Sequence, residues 1–203
     1  MTIAILDFGM GNLLSVERAL RHVGADAEIT SDPAHALVAD ALVVPGVGHF
    51  GACMRGLALR GLDTAVRKFA RSGRPVFGVC VGLQILLARS EEDDDAGLGI
   101  LPGVSRRLGD APGVKVPHMG WNEVSWRRFH PYVEDLPDGE RFYFVHSYAR
   151  EVDVLTVGWS EHGRPFDAAV ARSNVFATQF HPEKSADAGL HIYERFVKEV
   201  AGA

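Results

Sequence analysis

The chain has 203 residues, 47% of them hydrophobic, and a formal net charge of −5 at pH 7. That length and composition suit one domain with a substantial core, and the lack of a long basic run argues against nucleic acid as the main partner. The opening apolar run, in MTIAILDFG, is too short for a signal peptide, and no stretch approaches a membrane span. Two cysteines, Cys53 and Cys80, make no disulfide framework, so a cytoplasmic protein is expected.

Ile3–Asp7 reads as a buried strand running into the glycine loop FGMGN. Ser15–Val23 places Val16, Ala19, Leu20 and Val23 on one helical face, with Gly24 at its C-cap. Ala27–Thr30 predicts a second strand, Ala34–Leu37 a short helix and Ala41–Val44 a third strand. Leu57–Arg71 predicts one helix closed by Ser72-Gly73, Pro75–Val79 a fourth strand, and Gly82–Ala88 a helix. Uniformly apolar strands alternating with helices predict a mostly parallel central sheet with helices on both faces, a three-layer α/β fold. The acidic run Glu91–Asp95 reads as a solvated loop.

The second half changes character. Lys115–Val116, Asn122–Trp126, Arg141–Tyr148, Thr156–Glu161 and Ala168–Gln179 are strand-like runs broken by Gly and Pro. They predict an antiparallel region added to the same sheet or beside it, followed by a closing helix over Gly189–Val200. No linker and no internal repeat interrupts the chain, so residues 1–203 read as a single domain.

PGVGHFG (Pro45–Gly51) has the glycine spacing of a dinucleotide-binding loop, at Gly46, Gly48 and Gly51. Ribose recognition needs an acidic residue about 20 positions further on. Position 71 is Arg, and Pro75–Val79 contains no carboxylate. The earlier loop, Gly9-Met10-Gly11-Asn12, has Leu14 where a third glycine is required. A nucleotide-binding module is therefore poorly supported.

VFGVCVGLQILL (Val76–Leu87) joins an apolar strand directly to a helix through Gly78-Val79-Cys80-Val81-Gly82. This is the nucleophile-elbow spacing with cysteine as nucleophile. So sharp a turn leaves no room for side chains at 78 and 82. It places the sulfur near a helix N-terminus, which favours thiolate, and aims the Val81 N–H at a developing oxyanion. Cys53 lacks such a setting and reads as a structural thiol. A thiolate needs a His partner held by a third group. Among nine histidines the best placed is in QFHPEKS, where a strand over Val175–Phe180 delivers His181. If the segment stays extended, Glu183 projects to the same side and can hold the imidazole, completing a Cys80–His181–Glu183 triad.

With these segments the chain resembles class I glutamine amidotransferase domains over essentially its whole length. GVCVGLQ is similar to that family's nucleophile loop and FHPEKS to its His-x-Glu loop. Cys80 is followed by Val81 where Leu is common. LDFGMGN, PGVGHFG, PHMGWN (Pro117–Asn122) and YFVHSY (Tyr143–Tyr148) narrow the resemblance to the glutaminase-subunit family of imidazole glycerol phosphate synthases, in histidine biosynthesis. Sister glutaminases for GMP, anthranilate or pyridoxal phosphate synthesis share the triad but are not expected to carry PHMGWN and YFVHSY together. A redox or cysteine-peptidase-like member of the superfamily leaves the His-Pro-Glu loop and PGVG poorly explained.

The resemblance implies hydrolysis of L-glutamine through a γ-glutamyl thioester, with no cofactor and no metal. Ammonia would pass to a separate (β/α)8-barrel cyclase subunit, forming a heterodimer. It also implies that PGVGHFG passes beside the nucleophile. Gly46 and Gly48 would then approach the substrate amide, and an N–H of Val47 or Gly48 would complete an oxyanion hole with Val81. Gln84, Glu92, Ser147 and Tyr148 correspond to substrate contacts, Glu92 alternatively being only a loop carboxylate. Asn12, Trp121, Tyr143 and Lys184 match positions around the ammonia exit and partner surface. Core packing remains open for Trp121 and Tyr143, and a surface ion pair for Lys184.

Overall fold

The computed structural model describes residues 1–109 and 113–202. The amino-terminal half alternates as expected: β1 (Thr2–Leu6), α1 (Leu13–His22), β2 (Asp26–Thr30), α2 (Pro33–Val38), β3 (Ala41–Val44), α3 (Phe50–Leu59), α4 (Leu62–Arg71), β4 (Val76–Val79) and α5 (Val81–Leu86). Next come β5 (Arg89–Ser90), β6 (Asp93–Ala96), β7 (Val104–Arg107), β8 (His118–Trp126), β9 (Glu140–His146), β10 (Tyr148–Arg150), β11 (Thr156–Glu161), β12 (Pro165–Arg172) and β13 (Val175–Thr178). A 3-10 turn over Pro182–Lys184 leads into α6 (Ala186–Gly202).

The main sheet has nine strands in the order β2-β1-β3-β4-β13-β12-β11-β8-β9. From β2 to β13 every pairing is parallel, and from β13 to β9 every pairing is antiparallel. The antiparallel strands thus extend the parallel sheet, while β10-β7-β5-β6 form a separate four-stranded sheet. Strands β3, β4 and β13 are buried at every position, so helices must cover both faces. α1 packs on α6 in one helical group, and α4 packs on α2 and α3 in another. α4 buries Leu62, Ala65, Val66 and Phe69, one stripe at helical spacing. Among the described residues no helix is long and apolar enough to cross a membrane.

Several elements differ from expectation. The single helix over Leu57–Arg71 is two helices, because Gly61 adopts φ 68°, a left-handed conformation that ends α3 and opens α4. Ala168–Gln179 is a hairpin, turning at Ser173 (φ 52°) so that β12 and β13 pair antiparallel. Lys115–Val116 forms no strand, since Pro117 has no N–H to give a ladder, and β8 starts at His118. Arg141–Tyr148 divides at Ser147 between the two sheets. The acidic run is not a loop throughout: Asp93–Ala96 pairs with β5. Arg55 of α3 bridges Asp93 and Asp95, and His49 Nδ1 lies 3.5 Å from Asp93.

Candidate active site

Cys80 lies between β4 and α5 with φ 54° and ψ −109°, a strained backbone for a residue with a Cβ. The flanking glycines have specific reasons. A Cβ on Gly82 would lie 1.9 Å from the Val44 carbonyl oxygen, and one on Gly78 2.7 Å from Leu86 Cδ1. The Cys80 N–H donates to the Thr178 carbonyl at 2.8 Å, continuing the β4–β13 ladder. Three residues beyond Thr178 stands His181, so parallel pairing of these strands brings thiol and imidazole to the same sheet end.

His181 Nδ1 and Glu183 Oε1 are 2.8 Å apart, with both side chains almost fully buried. The route differs from the extended segment expected. Pro182–Lys184 curls into a 3-10 turn, and that curl rather than strand alternation carries the carboxylate to the ring. Burial alone would lower the imidazole pKa, but Cys80 and Glu183 outweigh it and raise the pKa to about 10. Among the described residues Nε2 has no hydrogen-bond partner of normal geometry, so we assign the Cys80 contribution mainly to charge attraction. Tyr193 on α6 faces Glu183. Burial and that carboxylate push its phenol well above the usual value, so it stays protonated.

A cleft of about 220 Å³ opens over the thiol. Drug-sized ligands occupy roughly 300–1,000 Å³, so this cleft suits something of amino-acid size. It gathers Val47, Gly48, Cys80, Val81, Gln84, Glu92, Ser147, Tyr148 and His181 from the sequence candidates. Gly46 is not among them. A Cβ there would lie 2.7 Å from the Gly82 nitrogen, so its smallness lets the loop rest on the elbow. Gly48 has φ 105°, a conformation that favours glycine. Glu92 lines the cleft while its Oε2 accepts the Phe50 N–H at 2.8 Å, capping α3. Cys53 is buried, and its thiol, 3.9 Å from the Val47 carbonyl oxygen, is pushed up to about 12 chiefly by burial.

The partner-surface candidates lie outside the cleft. Trp121 is 46% exposed, so the core-packing reading does not hold for it. Its ring meets Tyr143 edge-on at 6.2 Å, and Lys184 Nζ lies 5.8 Å from the Tyr143 ring centre. Asn12 is the exposed N-cap of α1.

Other residues of the site went unread in the sequence. Gln179 Nε2 points at Cys80 Sγ, 3.7 Å away. Ser185 Oγ donates to the His181 carbonyl at 2.6 Å and accepts the Tyr143 N–H at 3.0 Å. Its place in FHPEKS, just after a Pro turn, is a signal for such a backbone bond. Under the cleft, His146 Nδ1 lies 3.0 Å from the Tyr148 carbonyl and His118 Nδ1 lies 3.0 Å from His146 Nε2. The carbonyl can only accept, which assigns the proton to Nδ1 of each ring. Burial pushes His146 down to about 3 and His118 to about 4.

A sharp elbow thiol, a buried imidazole–carboxylate pair and a small cleft are the apparatus of an amide-cleaving thiol enzyme. The class-I glutamine amidotransferase family model matches residues 4–200. The chain belongs to that family. Within the family it is 50% identical to "Imidazole glycerol phosphate synthase subunit HisH" of Aromatoleum aromaticum, over 96% of this chain and 97% of the relative. The protein of the same description from Thermobifida fusca is also 50% identical, over 96% and 97%. That from Moorella thermoacetica is 46% identical, over 96% and 93%. The fold matches a putative GMP synthase component of Thermoplasma acidophilum with a TM-score of 0.75 at 21% identity, covering 100% of this chain and 94% of that one. A further glutamine amidotransferase structure matches with a TM-score of 0.73 at 23% identity, over 99% of each chain.

Proposed function

We propose that this chain is the glutaminase subunit of an imidazole glycerol phosphate synthase, working in the cytoplasm with a separate (β/α)8-barrel cyclase subunit. The observation that carries this reading is the buried His181–Glu183 pair beside the elbow Cys80 at a cleft of amino-acid size. Near-full-length likeness to the HisH subunits supports the choice among amidotransferases.

In this reading Cys80 Sγ attacks the side-chain amide carbon of glutamine. Oxyanion charge develops where the Val81 N–H at the start of α5, with that of Val47 or Gly48, can receive it. His181 Nε2, without another hydrogen bond among the described residues, protonates the departing nitrogen as the C–N bond breaks. Glu183 keeps the imidazolium favourable and the ring oriented. Water, giving a proton to His181, then attacks the thioester, and the C–S bond breaks to release glutamate and leave the Cys80 thiolate beside the imidazolium. Ammonia is mostly ammonium in neutral solvent and then no nucleophile, which is the reason for handing it directly to a bound cyclase. The exposed Trp121, with Tyr143 and Lys184, forms the surface we assign to that partner.

Glutamate release from glutamine, measured with and without the barrel partner, tests the reading. Turnover should be slow for the isolated chain, rise when the barrel is present, and vanish in Cys80→Ala while association persists. Undiminished turnover by Cys80→Ala overturns it.

A further inference from the structure

The Tyr148 carbonyl determines the orientation of two buried amides in succession. As an oxygen it can only accept, and Gln84 Nε2 lies 2.9 Å from it. The same nitrogen has a second N–H, which reaches Gln179 Oε1 at 3.2 Å. With its oxygen so engaged, Gln179 must turn its NH2 group the other way, toward Cys80 Sγ at 3.7 Å. Gln179 is wholly buried, and its own backbone N–H is held by the Ala168 carbonyl at 2.8 Å. Flipping the Gln179 amide would set its NH2 against the NH2 of Gln84 and its oxygen against the sulfur, and burial leaves it no solvent-exposed alternative.

The sulfur therefore has a donor on one side and an acceptor on another, the Val145 carbonyl, also at 3.7 Å. The carbonyl suits the thiol, whose S–H it accepts, and repels the thiolate. The amide does the reverse, since a hydrogen bond to a charged acceptor is roughly twice as strong as a neutral one. The titratable groups around Cys80 are His181 with Glu183 behind it, Cys53 from α3, Glu92 across the cleft and His146 on β9. Of these, His146 and Cys53 carry uncharged donors, but their hydrogens are taken by the Tyr148 and Val47 carbonyls.

We propose that Gln179 is a further catalytic residue, donating its side-chain N–H to the Cys80 sulfur and holding it as thiolate, in an orientation imposed by Gln84 and the Tyr148 carbonyl. The donor acts twice in glutamine hydrolysis, and its role rests on the assignment of Cys80 as nucleophile. It favours the thiolate that attacks the amide carbon, and it favours the same thiolate when the C–S bond of the thioester breaks and water's oxygen replaces it.

The test reads the sulfur directly, not glutamine turnover. Alkylation of the full chain by iodoacetamide is followed against pH, with the Cys80 peptide quantified separately from that of Cys53. Gln179→Leu should move the alkylation midpoint up by about one pH unit and slow the reaction at pH 7 about tenfold. Gln179→Glu keeps the shape but sets an acceptor against the sulfur, and should move the midpoint further in the same direction. Gln84→Leu, which releases the Gln179 amide, should produce a smaller upward shift, and it serves as the test if neither Gln179 variant folds. Folded variants whose profiles superimpose on the unsubstituted chain overturn the proposal. That outcome is separable from failure of the nucleophile assignment, which is read by glutamate release in Cys80→Ala.

Discussion

The backbone N–H of His181 donates to the carbonyl of Tyr143 at 3.0 Å, so strand β9 holds the His181 loop directly. Ser185 closes the link from the other side, joining the Tyr143 N–H to the His181 carbonyl. Tyr143 also carries Trp121 and Lys184 on its ring. One residue thus joins the exposed aromatic surface to the backbone of the imidazole.

Ser185→Ala removes two hydrogen bonds without touching substrate. We expect about 1–3 kcal/mol of lost stability, since it leaves the Tyr143 N–H without that acceptor, while the His181 carbonyl keeps the Lys184 N–H. Displacement of the ring should cost about 10–100-fold in kcat with little change in KM. Urea unfolding and steady-state glutaminase assays in the presence of the barrel partner measure both. A variant with unaltered kcat would show that the clamp is structural alone.

Glu183→Gln keeps the shape of the third member of the proposed triad and removes its charge. By comparison with other triads, kcat should fall about 10²–10⁴-fold. The same change tests a pH dependence. Because the folded-state pKa of His181 is raised to about 10, its contribution to stability is complete below about pH 6.5 and is lost as pH rises through 10. Chemical unfolding from pH 6 to 10 should show that decline in the unsubstituted chain and a flatter profile in Glu183→Gln. Parallel profiles would assign the decline elsewhere.

His118 and His146 act in the opposite direction. Burial holds them neutral, with pKa values near 4 and 3, while in the unfolded chain they protonate near 6.5. Their contribution is present above pH 6.5 and is lost progressively as pH falls toward 4, by roughly 3 kcal/mol per ring. Thermal melts between pH 7 and 4.5 should show this loss, and His118→Asn should make it shallower. An acid limb of unchanged slope in that variant would count against this assignment to the buried His118–His146 pair.

Gly82→Ala forces a Cβ to 1.9 Å from the Val44 carbonyl oxygen, where backbone cannot yield cheaply. We expect destabilisation of at least 1–3 kcal/mol, the usual range for overpacking, with loss of glutaminase activity as the elbow shifts. Gly24→Ala is a contrast, because nothing lies within 4 Å of a Cβ there and only its φ of 89° resists. Equal melting temperatures for Gly82→Ala and the unsubstituted chain would disprove the crowding argument.

Local chemistry was legible in the sequence. The apolar run Ala41–Val44 and the strand-like run Thr156–Glu161 are strands with the boundaries expected, since residue patterning acts over neighbouring positions. The elbow glycines and the His-x-Glu spacing were readable for the same reason: each is a steric or covalent demand met within a few positions. Gln179 was not readable as the thiol's partner. It lies 99 residues from Cys80, and only the parallel pairing of β4 with β13 brings the two together. The exposure of Trp121 and the link from Tyr143 to His181 likewise depend on how β8 and β9 meet the rest of the fold. Short-range patterning was enough to single out Cys80 and His181 as the proposed nucleophile and acid–base partner, and to predict the kind of fold that presents them. Tertiary structure alone decided which buried amides and carbonyls surround the sulfur, because hydrogen-bond partners across a sheet are chosen by strand order and register, which no short stretch of chain encodes.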